Sequence, residues 1–452
     1  MSEGSLEAPE RRPIPWREPD FVDGEKLDAE LRRVFDICHG CRRCFNLCDS
    51  FPRLFDLIDD SATGELESVT SADFKPVVDA CTLCDMCFMS KCPYVPPHQF
   101  DIDFPHLMLR YRAAEAAKGA GSFIAGQLTE TDRNGRLGCG LSGLANWATD
   151  TGNGLTRPLM QALAGVHRDA ALPRYESPPL DKRTETPAIN RDAPAFGRKA
   201  VLYATCFANY NAPAIGIAAR AVLARNGVET EFAYPGCCGM PQLERGDIGR
   251  VADNARRIAD DLGAWIDKGY DVVALVPSCT LMLKFEWPLI EPDDGAIGRL
   301  AAATHDISEY VANIARGEGL APGLAPLDGD VTVHIACHAR AQNMGRKAAE
   351  MLNHLPDTQV TVIERCSGHG GAWGVMKENF DIALKVGKPV AGQAAEAKAR
   401  YLVSECPLAR DHIVQGMARI DGAAPDLAAV HHPIELLARA YEDPTRASED
   451  PK

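Results

Sequence analysis

The chain has 452 residues, enough for roughly two to four domains with buried cores. It is 46% hydrophobic and 25% charged, an ordinary globular balance, and its formal net charge of −15 argues against nucleic acid or an anionic membrane surface as the main partner. Sixteen cysteines exceed what a routine cytosolic enzyme carries, which turns attention to metal binding.

The opening stretch MSEGSLEAPERRPIPWREPD is polar and proline-rich, without the apolar core of a signal peptide. No run approaches the roughly 18 apolar residues of a transmembrane helix. The expected compartment is the cytoplasm, with peripheral attachment at the inner face of the cytoplasmic membrane left open. Residues 1–30 read as a flexible tail.

Residues 31–115 form a cysteine-dense region. ICHGCRRCFNLCDSFP places Cys38, Cys41, Cys44 and Cys48 at C-x2-C-x2-C-x3-C. ACTLCDMCFMSKCPYVPP places Cys81, Cys84, Cys87 and Cys92 at C-x2-C-x2-C-x4-C-P. The first three cysteines of such a run wrap one iron–sulfur cube, and the fourth reaches the other cube in two-cluster ferredoxins. Cys38, Cys41, Cys44 and Cys92 are therefore assigned to one 4Fe–4S cluster, and Cys81, Cys84, Cys87 and Cys48 to a second. Asp49 replaces the usual proline and the second run has one extra residue, but neither change removes a ligand. Zinc is the alternative for four cysteines. The 32 residues between Cys48 and Cys81 exceed a minimal bacterial ferredoxin connection and predict a helical ferredoxin-like domain. The segment PHLMLRYRAAEAA (105–117) is amphipathic; it is expected to pack on that domain, with a quinone or membrane face as the other reading.

Residues 116–195 read as a connecting segment rich in Gly, Thr, Pro and Asn, ending in the linker PPLDKRTETPAINRDAPAFG. Within it GCGLSG matches G-x-G-x-x-G but follows no β-run, so dinucleotide binding is not expected. Cys139 reads as a plain thiol.

From residue 196 the pattern becomes α/β and repeats. KAVLYATC (199–206) matches VTVHIAC (331–337), VETEFAYPGCC (228–238) matches TQVTVIERC (358–366), and DVVALVPSC (271–279) matches ARYLVSEC (399–406). The paired cysteines are offset by 131, 129 and 127 residues. THDISEYV and HHPIELLA place His305 against His432. Each copy, 196–325 and 326–445, is expected to fold as a small parallel sheet with helices on its faces. Open sheets of this kind place ligands at the carboxyl edge of the strands. That edge collects Cys206, Cys237, Cys238 and Cys279 in the first copy, and Cys337, Cys366 and Cys406 in the second. In CSGHGGAWG, Ser367 stands where the second cysteine of PGCCGMP would fall.

Paired ferredoxin runs followed by two such domains resemble the iron–sulfur subunits of anaerobic glycerol-3-phosphate dehydrogenases and of heterodisulfide reductases. The carriers are the two runs, CFANYNAP, PGCCGMP, PSCTLMLKFEWP, HIACHA, CSGHGGAWG and HHPIELLARA, across roughly residues 31–440. The resemblance implies an iron–sulfur protein that relays electrons between a flavoprotein or dehydrogenase partner and a quinone or disulfide acceptor. It also implies clusters bound by CCG-type domains, with five cysteines in the heterodisulfide reductases. This chain supplies four in the first copy, enough for a cubane as a third cluster. It supplies three in the second, which leaves either a fourth cluster with an open iron facing Ser367, His338 or His369, or no cluster. Electrons would run from the ferredoxin clusters to the first copy, then to an acceptor near the second. His305 and His432 are candidate proton donors or structural histidines. Two other readings stay open: a stand-alone thiol–disulfide or quinone reductase, and a cluster-bearing redox sensor.

Overall fold

The computed structural model describes residues 4–5, 7–120, 123–422 and 425–442, so the boundary drawn at 445 lies outside the described residues. The N-terminal third is built from helices, and the described residues of 24–117 contain no strand. Asp23 caps the helix Gly24–Cys41, its side chain accepting from the Lys26 N–H at 2.9 Å. Leu27, Leu31, Val34 and Phe35 fall at helical spacing and are buried. The helix stops at Arg42, whose φ of 51° is left-handed and whose N–H donates to the Cys38 carbonyl. Cys38 and Cys41 therefore ride on its last turn.

The helices Ser50–Asp59 and Phe104–Ala117 close over a core that includes Phe35, Phe51, Phe55 and Phe74. Phe104–Ala117 buries Leu107, Met108, Leu109, Ala113 and Ala114. Arg112 on that helix donates to the carbonyls of Val78 and Glu244, and so holds the N-terminal domain against the first repeat. The helix is a packing element.

Residues 7–30 are not a free tail. The Arg11 guanidinium pairs with Asp85 at 2.7 Å, Asp103 at 2.8 Å and Glu286 at 3.0 Å. Ile14 is buried, and its N–H donates to the Leu289 carbonyl. Trp16 Nε1 donates to the Ile290 carbonyl at 3.0 Å. The segment is polar because its partners are polar, and Glu286 lies 275 residues away. The linker is also laid down: Leu180 is fully buried, against Gly216 of the first repeat.

The first repeat contains β1 (Lys199–Tyr203), β2 (Glu229–Ala233), β3 (Asp271–Ala274) and β4 (Thr304–Asp306), all parallel, in the order β2-β1-β3-β4. The second contains β5 (Val331–His334), β6 (Val360–Ile363) and β7 (Tyr401–Ser404), parallel in the order β6-β5-β7. The shared order confirms the repeat. Where the first copy adds β4, the second has two backbone hydrogen bonds, from the Ser404 N–H to the His431 carbonyl and from the Ala428 N–H to the Arg400 carbonyl. Strands β5 and β7 are buried throughout and β1 and β3 nearly so, as befits sheets with both faces covered. One core runs through both copies, joining Leu202, Ile215 and Val222 to Val333, Met351 and Leu437.

Candidate functional site

In the first repeat every cysteine lies just beyond the carboxyl end of a strand. After β1, Thr205 adopts φ 51° and accepts from the Ala208 N–H, starting the helix Cys206–Tyr210 with Cys206 as its first residue. After β2, Cys237 and Cys238 sit between Gly236 and Gly239, both at positive φ. After β3, Cys279 lies in the helix Pro277–Leu281. The sulfurs converge: Cys206 to Cys237 is 3.8 Å and Cys238 to Cys279 is 3.2 Å.

Side chains from elsewhere hold this turn. Tyr203 donates to the Gly236 carbonyl at 2.6 Å, and Trp287 Nε1 donates to the Cys238 carbonyl at 3.1 Å. Asp132, from the connecting segment, accepts from the Cys237 N–H at 3.1 Å and from the Tyr234 hydroxyl. Nothing in the local pattern pointed to Asp132, because the contact spans 105 residues.

The second repeat repeats the placement with fewer thiols. Cys337 opens the helix Cys337–Ala341, Cys366 follows β6, and Cys406 caps the helix Pro407–Asp421. Cys366 is exposed, Cys337 and Cys406 are half-buried, and Ser367 is buried. The glycines of CSGHGGAWG have a steric purpose. Gly370 and Gly371 take φ of 58° and 61°. A Cβ on Gly370 would lie 2.8 Å from the Thr82 side chain, and one on Gly371 would lie 3.1 Å from the Glu244 carboxylate. The loop is thus wedged between the N-terminal domain and the first repeat.

The N-terminal thiols group across their two runs. Burial pushes the Cys38 thiol well up, and the thiolates that reinforce this are Cys92, Cys44 and Cys41. Burial does the same at Cys48, reinforced by Cys84 and Cys81. The leading thiolate neighbour of Cys84 is Cys366, and those of Cys337 are Cys84, Cys366 and Cys406. Cys279 in turn is a neighbour of Cys406. The second repeat therefore stands next to the N-terminal cysteines, as does the first, whose Cys237, Cys238 and Cys279 share a core with Cys81 and Cys87. His338 is not free to be a ligand, since its ring nitrogens bond Ser278 Oγ at 2.8 Å and the Leu83 carbonyl at 3.3 Å.

Residues 200–284 and 331–408 match the family described as "CCG: Cysteine-rich domain". The chain carries two CCG domains. It is 25% identical to one of the subunits of the anaerobic glycerol-3-phosphate dehydrogenase of Escherichia coli, over 69% of this chain and 76% of that one. It is 26% identical to one of the subunits of the dihydromethanophenazine:CoB–CoM heterodisulfide reductase of Methanosarcina barkeri, over 63% of this chain and 71% of that one. It is 27% identical to lactate utilization protein A of Macrococcus caseolyticus, over 54% of this chain and 98% of that one.

The thiols of the CCG domains and the N-terminal runs fit iron–sulfur clusters on chemical grounds. Burial raises the thiols of Cys44 and Cys84 to about 12 and of Cys406 to about 11. Gathered thiolates in such surroundings are costly without positive charge among them, and iron supplies it. Soft all-sulfur donor sets suit iron–sulfur chemistry.

Of the remaining sequence candidates, His432 and Cys139 are hydrogen-bonded, whereas the buried Nδ1 of His305 has no hydrogen-bond partner. His432 is buried and caps the helix Pro433–Tyr441, Nδ1 accepting from the Ile434 N–H at 3.2 Å. Burial lowers its pKa to about 3. His305, on β4, is half-buried and lies 3.9 Å from the Glu309 carboxylate. Cys139 donates to the Tyr210 carbonyl at 3.5 Å. GCGLSG spans the join of the helices Thr131–Gly140 and Ser142–Thr149, with Gly138 against the Tyr175 ring.

Proposed function

We propose that this protein is an iron–sulfur electron-transfer subunit of an oxidoreductase. The observation that carries the reading is the cross-grouping of the N-terminal thiols, Cys92 with Cys38, Cys41 and Cys44, and Cys48 with Cys81 and Cys84. Two 4Fe–4S clusters would be held by those eight cysteines, with Cys87 completing the second set. A third would be held by Cys206, Cys237, Cys238 and Cys279, and a fourth, with an open iron, by Cys337, Cys366 and Cys406. Such clusters supply one-electron chemistry, while the protein sets their spacing and surroundings.

The contiguity of Cys84 with Cys366, and of Cys406 with Cys279, supports a route from the N-terminal clusters through the second CCG domain to the first. The tight tyrosine, tryptophan and aspartate contacts around Cys237 and Cys238 hold that end rigid, which keeps reorganisation on electron arrival small. The names of the relatives, which include subunits of a dehydrogenase and of a heterodisulfide reductase, support a partner of flavoprotein or dehydrogenase type and a quinone or disulfide acceptor.

Iron and sulfide analysis of anaerobically purified protein, with EPR of the reduced form, tests this. Two cubane signals plus a further signal abolished by Cys206→Ser or Cys279→Ser are expected. Fewer than two cubane signals would overturn the reading.

A further inference from the structure

Residues 129–132 of the connecting segment lie over the CCG turn of the first repeat. Gln242 Nε2 donates to the Thr129 carbonyl at 2.6 Å. Arg250 forks onto the Glu130 carboxylate at 2.5 and 2.7 Å. The two oxygens of Asp132 accept from the Cys237 N–H at 3.1 Å and from the Tyr234 hydroxyl. Thr131 lies between these anchors, at the start of the helix Thr131–Gly140, and its Oγ1 is buried with no oxygen or nitrogen partner. What it faces is the Cys237 sulfur. That thiol is held well below its ordinary value by Cys206 and Cys238 first, and by the Thr131 hydroxyl as well, against the burial that raises it.

We propose that Thr131 and Asp132 set the reduction potential of the iron–sulfur cluster held by Cys206, Cys237, Cys238 and Cys279, the hydroxyl raising it and the carboxylate lowering it. The two act on the same ligand with opposite sign. A hydroxyl that donates to a ligating sulfur withdraws electron density, and hydrogen bonds to sulfur are one of the levers on cluster potential. The orphaned Thr131 donor is satisfied once Cys237 is a thiolate, because an ionised acceptor takes a stronger hydrogen bond than a thiol. Asp132 works the other way. Its carboxylate lies one hydrogen bond from the Cys237 backbone, where half-burial limits screening, so it repels each added electron. It also takes up the Cys237 N–H, which then cannot donate to a sulfur. The other charges facing this turn are Glu130, engaged by Arg250, and Arg257, which donates to the Pro235 carbonyl at 2.5 Å, flanks Gly236 and pairs with Asp261 at 4.0 Å. They stay in place in every variant below, so differences between variants report on Thr131 and Asp132.

Both roles rest on the reading that these four cysteines hold a cluster. Reduction takes one electron from an external reductant, and no bond at Thr131 or Asp132 forms or breaks. The connecting segment thereby gains a part in the redox chemistry, although the CCG match begins only at residue 200. A purely structural role is distinguishable, since loosening the turn or admitting water would move the potential in the same direction whichever residue is changed.

The test is potentiometric titration of the full-length, anaerobically purified, cluster-loaded protein, followed by EPR at the signal that Cys279→Ser abolishes. Thr131→Val keeps the side-chain shape and removes the hydroxyl. It should lower the midpoint potential by the equivalent of a tenfold change in the reduction equilibrium, about 59 mV for one electron. Thr131→Ser should restore the wild-type value. Asp132→Asn should raise the midpoint by a similar amount, with iron and sulfide content unchanged. Midpoints that stay put, or that move the same way in Thr131→Val and Asp132→Asn, would overturn the inference. Loss of the signal in Asp132→Asn would overturn the carboxylate's role by showing that it builds the site, and Thr131→Val against Thr131→Ser would still decide the hydroxyl's. Absence of the signal from wild-type protein would refute the cluster and both roles with it, whereas a signal with unmoved midpoints refutes the two roles and leaves the electron-transfer reading intact.

Discussion

The imidazole Nε2 of His338 donates to the main-chain carbonyl of Leu83 at 3.3 Å, joining the residue after Cys337 to the residue before Cys84. A carbonyl can only accept, so Nε2 carries the proton and Nδ1 accepts from the Ser278 hydroxyl at 2.8 Å. Ser278 precedes Cys279. One neutral ring, its pKa lowered by burial, thus touches the neighbours of cysteines from the N-terminal domain and the first CCG domain. His338→Leu strands a hydroxyl and a carbonyl at a buried junction and should cost about 1–3 kcal/mol. Denaturant midpoints check the cost, and altered EPR line shape from changed cluster–cluster coupling checks the positioning role. His338→Gln should restore part of both.

The cross-grouping of thiols makes a prediction that run-by-run assignment does not. Cys92→Ser should remove the signal of the cluster that also uses Cys38, Cys41 and Cys44, while Cys48→Ser should remove the other. Potentiometric EPR distinguishes them, because each variant should keep the signal that the other loses, with iron content falling by about one cluster.

Arg11 is surrounded by Asp85, Asp103 and Glu286, the last two also flanking His106. Arg11→Ala leaves these buried carboxylates without their cation and should destabilise the protein by about 3–5 kcal/mol. Thermal unfolding would show the loss. Limited proteolysis should also begin to cut within residues 7–20, since the arm loses its anchor.

Glu244 faces the glycine loop of the second CCG domain, and burial raises its carboxyl to about 7, with the Arg112 guanidinium working the other way. The folded state therefore holds this proton more tightly than the unfolded chain, whose carboxyl titrates near 4.5. Stability should fall as pH rises from about 4.5 through about 7 and then level off. Because the residue is only partly shielded from solvent, about 1–2 kcal/mol is the expected span. Glu244→Gln should flatten that dependence in unfolding measurements at about pH 5 and about pH 8.

Much of the architecture was legible because its signals are local. The runs around Cys38 and Cys81, the three strand–cysteine pairs of each repeat and the glycines of CSGHGGAWG all lie within a few residues of the feature they specify. Strand alternation, helix spacing and short cysteine intervals follow from backbone geometry, so the amino-acid order alone determined two small parallel sheets and the edges where their thiols collect. Tertiary structure decided the rest. It placed the second CCG domain against Cys84, carried Asp132 to Cys237 across 105 residues and Arg11 to Glu286 across 275. It also buried the amphipathic helix Phe104–Ala117 and left Leu137, Leu141 and Leu144 exposed. Those outcomes depend on which surfaces meet after folding, and a charge or an apolar stripe does not name its partner until distant segments are packed together.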